Sequence, residues 1–475
     1  MVNKTNTISA EEQKKQRDFA KKIKKYNEDI ALETGKTRKA FVLTLGCQQN
    51  ESDSEKLSGM AEQMGYEIVD EPDEASLIMV NTCAIREHAE QRALSLVGQY
   101  KHLKAKNKEL IIVICGCMVV QEHRRNDIKM KYPYVEILFG TSSIHRLPEF
   151  IFEKLNKGKR ILASDETEYR VAEGLPIRRS SEYHAWVSVM YGCNNFCSYC
   201  IVPYVRGRER SRMKEEIISE VRDLVSQGYK DITLLGQNVN SYGKDLGTNY
   251  DFADLLAELD AIDGEYWIHF MTSHPKDATK KLIDVMSTSK HIARCFHLPL
   301  QSGSDEILKA MNRKYDFKTY IEKVDYIREK MPDAVITSDI IVGFPGESEE
   351  DFECTVEALK RASYDMIFSF IYSPRKGTPA AEMDCQIEAS VKSARFDRLL
   401  ETQNAISLES NKKYEGKTVK VLCDGPSKNN SAMFSGRTEG GKIVLFEGNP
   451  AQIGKFVDVY IEKGDTFALN GKIKN

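Results

Sequence analysis

Short apolar runs alternate with amphipathic stretches through the first third of the chain. The apolar runs lie at residues 41–45, 77–80, 110–114 and 135–139, and helical patterns such as 53–64 and 87–106 lie between them. Runs that are apolar on both faces, separated by helices, are typical of parallel strands with crossover connections. This part of the chain is therefore predicted to form an open parallel sheet.

The same alternation returns with more units between residues 185 and 380. Strand-like runs lie at residues 185–190, 231–235, 267–271, 295–298, 335–341 and 366–372, and each is followed by a helical pattern. Six βα units in one run predict a complete or partial (βα)6 barrel, whose functional site lies at the carboxyl ends of the strands. A helix over about residues 391–411 leads out of this segment.

The last segment changes character, with short apolar runs at 419–423, 443–445 and 456–461 separated by glycines. It predicts a small antiparallel β-barrel, a shape often used to grip single-stranded or looped nucleic acid. A dimerisation or lid module is the alternative. The predicted fold class is α/β. The predicted domains are a flexible polar extension (1–38), an open-sheet domain (39–157), a partial barrel (178–410) and a terminal barrel (411–475). A helix is predicted over residues 10–26 of the extension.

Charge is balanced overall but uneven along the 475 residues. The chain has 68 Lys and Arg against 71 Asp and Glu, which excludes a globally basic nucleic-acid coat. The net charge is +5 over residues 1–40 and +4 over residues 411–475, which suits a polyanion held at the periphery or is ordinary surface charge. No apolar run approaches the roughly 18 residues that span a bilayer, so we expect a cytoplasmic protein without membrane contact.

Eleven cysteines in such a chain favour metal or redox chemistry over disulfides. Cys193, Cys197 and Cys200 form the pattern C-x3-C-x2-C after the first strand of the predicted barrel. Three thiolates without a nearby fourth ligand fit a [4Fe–4S] cluster that leaves one iron open. Structural zinc, the alternative, is usually held by four ligands.

Three further cysteines, Cys47, Cys83 and Cys117, each lie just beyond a predicted strand of the first sheet. The carboxyl ends of neighbouring parallel strands converge, so these thiols can meet in space, although unrelated buried cysteines remain an alternative. Cys115 falls inside a predicted strand and is expected to pack there. The others are expected to be small buried hydrophobes: Cys295, Cys354, Cys385 and Cys423.

The C-x3-C-x2-C pattern with Tyr199 before its last cysteine resembles the radical S-adenosylmethionine superfamily. The segments 46–50, 81–83 and 116–118 resemble the ligand motifs of its methylthiotransferase family, and the likeness runs from residue 39 to the end, with a TRAM barrel last. The resemblance implies two [4Fe–4S] clusters, an auxiliary one on Cys47, Cys83 and Cys117 and a radical one on Cys193, Cys197 and Cys200. It also implies that S-adenosylmethionine contacts Tyr199, Gly236, Gln237, Asn238, Gly343, Pro345 and Gly346.

Segments 235–242, 272–275 and 297–304 resemble the MiaB-type branch of that family, which acts on isopentenylated adenosine at position 37 of tRNA, next to the anticodon. The implied reaction replaces the C2 hydrogen of adenine with a methylthio group. One S-adenosylmethionine would methylate a sulfur at the auxiliary cluster, and a second would supply the radical. The alternatives are a methylthiotransferase for threonylcarbamoyladenosine or a ribosomal-protein aspartate, and an iron–sulfur tRNA-binding or redox-sensing protein without catalysis.

The partners implied are the tRNA anticodon arm, an electron donor and a sulfur or cluster carrier, for a monomeric enzyme. Candidate phosphate contacts follow the radical cysteines and recur in the terminal barrel: Arg206, Arg208, Arg210, Arg212, Lys412, Lys413, Lys417 and Lys420. Solvated, ion-paired turns are the alternative for the arginines. Four histidines near predicted strand ends are not assigned as ligands, and a substrate or cofactor role and a hydrogen-bonded core role are both left open for them: His184, His269, His274 and His297.

Overall fold

The computed structural model describes residues 7–85, 87–163, 169–428, 430 and 432–474. Within them, the first unit is an open parallel sheet in the order β2-β1-β3-β4-β5-β6 with helices on both faces. Its strands are β1 (Lys39–Leu45), β2 (Glu67–Val69), β3 (Leu77–Thr82), β4 (Ile111–Gly116), β5 (Ile137–Phe139) and β6 (Ile161–Leu162). Its helices are α1 (Ala10–Thr34), α2 (Gln48–Gln63), α3 (Glu87–Lys106), α4 (Glu122–Lys131) and α5 (Leu147–Lys157).

The N-terminal segment is helical and packed, rather than the mobile extension that we expected. Ser9 caps the 25-residue helix α1, which continues beyond the predicted end at residue 26. Its residue Ile23 is buried in the core beneath the sheet, and Phe19 packs on Phe152 of α5 with ring centroids 4.9 Å apart. Residues 1–6 of the predicted extension lie outside the described residues.

The central unit is a row of parallel strands bent into a partial barrel, as predicted. The strands are β7 (His184–Ser188), β10 (Asp231–Leu235), β11 (Trp267–Phe270), β12 (Cys295–His297), β13 (Val335–Val342) and β14 (Met366–Ile371), and a bridge between Ile268 and Ile292 joins the two halves. A small antiparallel pair, β8 (Met190–Tyr191) and β9 (Arg210–Ser211), flanks the loop after β7. The helices are α6 (Val202–Arg206), α7 (Lys214–Ser226), α8 (Phe252–Asp260), α9 (Lys280–Thr288), α10 (Asp305–Ala310), α11 (Phe317–Lys330), α12 (Glu349–Ala362) and α13 (Ala389–Lys412).

The C-terminal unit is a closed barrel. Its strands are β15 (Thr418–Pro426), β16 (Phe434–Thr438), β17 (Ile443–Phe446), β18 (Phe456–Gly464) and β19 (Leu469–Ile473). The pairing is antiparallel except between β17 and β19, which run parallel, so the expectation of a wholly antiparallel barrel was wrong at this pair. The barrel packs near the amino ends of the central strands, where Phe456 meets Trp267 at 4.5 Å between ring centroids.

None of the helices in the described part of the chain combines the length and apolar character needed to cross a bilayer.

Candidate iron–sulfur and cofactor site

Cys47, Cys83 and Cys117 lie together at the carboxyl edge of the first sheet. Strand β3 lies between β1 and β4, and Leu45, Thr82 and Gly116 are aligned across the three strands. The three cysteines follow these aligned residues by one or two positions. Each is thereby brought to the same edge, although they are far apart in sequence.

Glycine is required before Cys117. Gly116 has a φ of +98°, and a Cβ there would lie 2.4 Å from the carbonyl oxygen of Thr82. The amide of Cys117 donates to that same carbonyl at 2.8 Å. The tight turn at Gly116 therefore fixes where the Cys117 thiol leaves the sheet.

In the triad of Cys47, Cys83 and Cys117, the thiol of Cys47 has a lowered pKa. A hydrogen bond from Cys83 lowers the pKa of Cys47 to about 6, against the effect of burial, and the nearby guanidinium of Arg206 lowers it further. The hydrogen bond with Cys47, followed by burial, raises the pKa of Cys83. Burial raises the pKa of Cys117 to about 11. The three thiols are thus electrostatically coupled, as expected for donors that share one site.

Cys193, Cys197 and Cys200 lie on the loop that follows β7 and β8. Gly192 has a φ of +79°, and a Cβ there would lie 2.0 Å from the carbonyl oxygen of Arg208, so only glycine fits before Cys193. Cys193 and Cys197 are buried and Cys200 is half-buried. Burial raises the pKa of Cys193 to about 11 and, together with the charges of the other two thiols, raises the pKa of Cys200.

Arg313 lies against this second triad, although no motif in the sequence singles it out. Its Nη1 donates to Cys197 Sγ at 3.3 Å, and its Nη2 donates to the carbonyl of Pro299 at 3.1 Å. Its Nε donates to the hydroxyl of Tyr315 at 2.8 Å. Only 8% of Arg313 is exposed, so its positive charge lies beside Cys197 with little screening by solvent.

The two triads are neighbours across the domain boundary. Cys117 packs with Ile201 and Val205 of the segment that follows Cys200. Arg206, at the end of α6, donates to Cys117 Sγ at 3.2 Å and to Asp53 at 2.8 Å. The short helix α6 therefore joins the loop that carries Cys193, Cys197 and Cys200, here called the radical loop, to the triad of Cys47, Cys83 and Cys117, here called the auxiliary triad.

A second polar bridge connects the two domains beside Cys47. Gln49 donates to Ser188 Oγ at 2.9 Å, and Ser52 lies 3.2 Å from the same oxygen. Gln237 donates to Gln49 at 3.5 Å and accepts from the backbone of Gly192. The predicted cofactor residue Gln237 thus contacts both cluster loops.

The other predicted cofactor residues lie at the carboxyl ends of the central strands. Tyr199 packs with the cluster around Phe344, which belongs to the turn after β13. In that turn Gly343 and Pro345 are buried and Gly346 is exposed, and Gly343 donates its amide to Glu347 at 2.8 Å. After β10, Gly236 lies against Met190, and Asn238 donates to Asp277 at 2.8 Å.

Backbone strain marks the same rim. Thr272, just after β11, has a φ of +70°, and Gln301, just after the β12 segment, has a φ of +75°. Phe196 in the radical loop and Asn312 next to Arg313 also have positive φ. Such conformations are costly for residues other than glycine and cluster at functional sites.

Orphaned polar atoms also mark the rim. Within the described part of the chain, Asn238 Oδ1, both polar side-chain atoms of Asn240, Ser273 Oγ and His274 Nε2 are buried without a hydrogen-bond partner. Burial, reinforced by Arg313, lowers the pKa of His274 to about 2, so its ring is neutral. Buried polar atoms are normally satisfied, so this group is suited to a polar ligand.

The predicted arginine patch is largely internal. Arg206, Arg210 and Arg212 are buried, and Arg212 pairs with Glu173 at 2.8 Å. Arg206 pairs with Asp53, and Arg210 donates to the carbonyls of Arg206 and Arg208. Buried guanidiniums have little exposed surface for a phosphate, so the structure contradicts RNA contacts at these three residues. Arg208 is exposed, as a contact with RNA requires.

The terminal lysines are on the surface. Lys412, Lys413, Lys417 and Lys420 are all exposed, but Lys420 pairs with Glu265 of the central unit at 3.0 Å. The first three therefore have the better placement for phosphates.

The remaining five cysteines differ in their exposure to solvent. Cys115 lies inside β4 and packs in the core of the first unit, and Cys423 is buried in the terminal barrel, both as expected. Cys295 is half-buried. Cys354 and Cys385 are exposed, so their interpretation as buried hydrophobes was wrong.

The donor sets fit cubane clusters better than single ions. Zinc needs its ligands gathered tetrahedrally around one point, whereas a [4Fe–4S] cube takes one thiolate at each of three separate corners. Each triad has three thiols and one adjoining guanidinium, which offsets the negative charge that a cluster brings.

Three family models match the chain in succession. They are "Uncharacterized protein family UPF0004" over residues 39–140, "Radical SAM superfamily" over residues 187–359 and "TRAM domain" over residues 412–474. A radical S-adenosylmethionine methyltransferase, TsrM, from Kitasatospora setae has a similar fold, with a TM-score of 0.53 and 15% identity over 73% of this chain and 75% of that one. Fold and matches together define a radical S-adenosylmethionine protein with an added N-terminal sheet domain and a terminal TRAM barrel.

Relatives that match nearly the whole chain identify the family within this class of radical S-adenosylmethionine proteins. A "tRNA-2-methylthio-N(6)-dimethylallyladenosine synthase" from Alkaliphilus oremlandii is 48% identical over 466 residues, covering 98% of both chains. Proteins of the same name from Acetivibrio thermocellus and Clostridium botulinum are 47% and 50% identical, covering 98% and 91% of this chain and 97% and 96% of the relatives. The chain belongs to the tRNA-2-methylthio-N(6)-dimethylallyladenosine synthase family.

Proposed function

We propose that this chain is a tRNA methylthiotransferase that converts N6-dimethylallyladenosine at position 37, next to the anticodon, to its 2-methylthio derivative. The observation that carries the proposal is the pair of cysteine triads, placed at the carboxyl edges of two parallel sheets and joined through Arg206. A single triad would suit many radical enzymes. Two adjacent triads suit a reaction that needs a radical and a sulfur atom at the same carbon.

When bound, the two [4Fe–4S] clusters and S-adenosylmethionine supply the electron, the radical and the sulfur for an unactivated carbon–hydrogen bond. We assign the auxiliary cluster to Cys47, Cys83 and Cys117 on the domain 39–157. We assign the radical cluster to Cys193, Cys197 and Cys200 on the domain 178–410. Arg206 and Arg313 each donate to a thiol of one triad. Each thereby places a positive charge that offsets the negative charge of a bound cluster.

The protein's own contribution is positioning. Tyr199 and the turns at Gly236–Asn238 and Gly343–Gly346 are assigned to S-adenosylmethionine. The side-chain amide of Asn240 and the hydroxyl of Ser273 are buried at the same rim without a hydrogen-bond partner. Each can donate a hydrogen bond to a polar ligand or accept one from it. Four of the six thiols are buried, which limits the access of water and the side reactions of a reactive intermediate with solvent.

The anticodon arm is assigned to the terminal domain 411–475 and the rim of the central barrel. Lys412, Lys413 and Lys417 are exposed and placed to contact phosphates, with Arg208 as a further cation beside the radical loop. Such contacts weaken with added salt. We further propose a cytoplasmic monomer that receives electrons from a separate donor and sulfur or clusters from a carrier.

Anaerobic reconstitution of the full-length chain tests the proposal. The wild type should bind about eight irons, from two four-iron clusters, and should add a methylthio group to tRNA that carries N6-dimethylallyladenosine. Cys193→Ala should lose reductive cleavage of S-adenosylmethionine. Cys47→Ala should retain cleavage but lose sulfur insertion, and both variants should fall to about four irons.

Cys354→Ala, which removes an exposed thiol on α12, is the matched control and should keep about eight irons and full activity. Methylthiolation of threonylcarbamoyladenosine in place of dimethylallyladenosine would favour the competing substrate. Cleavage that persists in Cys193→Ala would contradict the assignment of the radical cluster.

A further inference from the structure

The last strand of the central barrel, β14, exposes a row of large apolar side chains. Met366, Phe368 and Phe370 alternate along the strand and are 46%, 38% and 37% exposed. The intervening residue Ile367 packs instead into the core between the strands and the helices. Three exposed apolar side chains on one face of a sheet edge mark a contact surface.

This row, the β14 strip (Met366, Phe368 and Phe370), faces the inside of the partial barrel. The ring of Phe368 lies edge-on to His297, with centroids 5.7 Å apart. His297 belongs to β12 and bonds to Thr337 of β13 at 2.9 Å. The strip is therefore part of the same inner wall as these polar residues.

The carboxyl end of the β14 strip, at Phe370, lies beside the predicted cofactor residues. Phe370 is aligned with Ile341 across β13 and β14. Ile341 and Tyr199 both pack against the hydrophobic cluster that contains Phe344. A ligand held against Phe370 is thus next to the residues assigned to S-adenosylmethionine.

The segment after β14 reaches the auxiliary triad. Ser373 donates to Glu87 at 3.2 Å, and Arg375 donates to the carbonyl of Ile85 at 2.8 Å. Ile85 is two residues beyond Cys83, and its amide donates to Cys83 Sγ at 3.3 Å. The β14 strip therefore forms a side wall between the two cluster loops.

We propose that the β14 strip receives the N6-dimethylallyl group of the target adenosine and selects for it, an inference that rests on the proposed function. In adenine, C2 and C6 flank the same ring nitrogen. When C2 points to the rim where the triads lie, the N6 substituent points along the neighbouring edge of the base, toward a side wall. A five-carbon apolar group gains free energy by covering exposed aromatic surface.

Charge on the same wall disfavours the competing substrate. Asp339 is aligned with Phe368 across β13 and β14, and its carboxylate lies 3.6 Å from His297 Nε2. A threonylcarbamoyl substituent carries a carboxylate, which would lie between aromatic rings and near Asp339. Apolar attraction and charge repulsion thus favour the same substituent.

Binding of short RNA tests the inference directly. Anticodon stem-loops with either unmodified adenosine or N6-dimethylallyladenosine at the target position are titrated against the reconstituted enzyme. The wild type should prefer the dimethylallyl RNA, and Phe368→Ser and Phe370→Ser should each reduce the ratio of the two Kd values about tenfold. With the dimethylallyl RNA, KM should rise in both serine variants.

Two controls separate selection from folding. Phe370→Leu keeps an apolar side chain and should retain most of the preference, whereas Tyr26→Ser, on α1, removes an equally exposed aromatic ring and should retain all of it. An unchanged Kd ratio in both serine variants would overturn the inference. Failure of the wild type to methylthiolate the dimethylallyl RNA would instead contradict the proposed function.

Discussion

Arg206 holds a charge between the two cysteine triads. Its guanidinium is 5% exposed, pairs with Asp53 and donates to Cys117 Sγ. Asp53 is itself buried on α2, the helix that begins after Cys47. The ion pair therefore fixes the radical loop on the element that presents the auxiliary triad.

Replacing Arg206 with glutamine leaves the Asp53 carboxylate buried without its cation. Loss of one partner of a buried ion pair costs about 3–5 kcal/mol. We expect Arg206→Gln to lower the thermal midpoint and to lose iron from the auxiliary triad, measured by melting curves and iron content. Arg208→Gln changes an exposed side chain of the same loop and should alter neither quantity. Equal effects in the two variants would rule out the bridging role.

The thiols could be predicted from sequence, but their charged neighbours could not. Cys47, Cys83 and Cys117 follow strands whose apolar runs are plain, and parallel strands place their carboxyl ends together. Arg206 lies in an arginine-rich run that resembles a surface patch. Whether such a side chain is buried depends on which distant residue meets it, and Asp53 is far away in the chain.

At the level of elements, α1 is part of the first unit's core. Ala20 and Ile23 are buried beneath the sheet, while Gln16 and Lys15 bond to Glu149 of α5. The helix contains so many lysines and glutamates that its few apolar positions give a weak pattern. Its packing face is narrow, which is why the sequence favoured a mobile extension.

Truncation of Ile23 measures how much that face contributes. The residue is 1% exposed, and Ile23→Ala should cost about 2–4 kcal/mol through lost burial and the cavity left behind. Leu32→Ala, at an 85% exposed position of the same helix, should change stability by less than about 0.5 kcal/mol. Urea denaturation of the full-length chain compares them. A cost for Ile23→Ala no larger than that for Leu32→Ala would show that α1 is not docked.

Strands with continuous apolar runs were predictable, whereas short and glycine-rich ones were not. β2, β6, β16 and β19 did not appear in the sequence pattern, because edge strands and barrel strands carry too few apolar residues in a row. The parallel pairing of β17 with β19 is set by how the barrel closes. Local sequence does not contain that information.

At the scale of the whole molecule, the terminal barrel is tied to the central strands through His269. The ring of His269, on β11, lies 2.7 Å from Asp231 Oδ1 and 2.8 Å from the carbonyl oxygen of Glu439. Both partners are acceptors, so the ring can donate to both only when it is protonated. Although burial opposes the charge, Asp231 and Glu439 raise the pKa of His269 above its usual 6.5.

The attachment of the barrel should therefore depend on pH. A raised pKa stabilises the docked state fully below pH 6.5, and this contribution is lost as pH rises through the raised value. Protection factors from amide hydrogen exchange, corrected for intrinsic rates, should fall at residues 438–442 between pH 6 and pH 9. In His269→Gln, protection of this segment should be lower at pH 6 and should change little with pH.

Residues 77–82 of the first sheet are the internal reference, because this strand packs in the two cores of the first unit. Their protection should be equal in both proteins. A pH dependence at 438–442 that is the same in wild type and His269→Gln would show that another group controls the docking. A difference confined to 438–442 would place the pH response at the junction that holds the terminal barrel beneath the central strands.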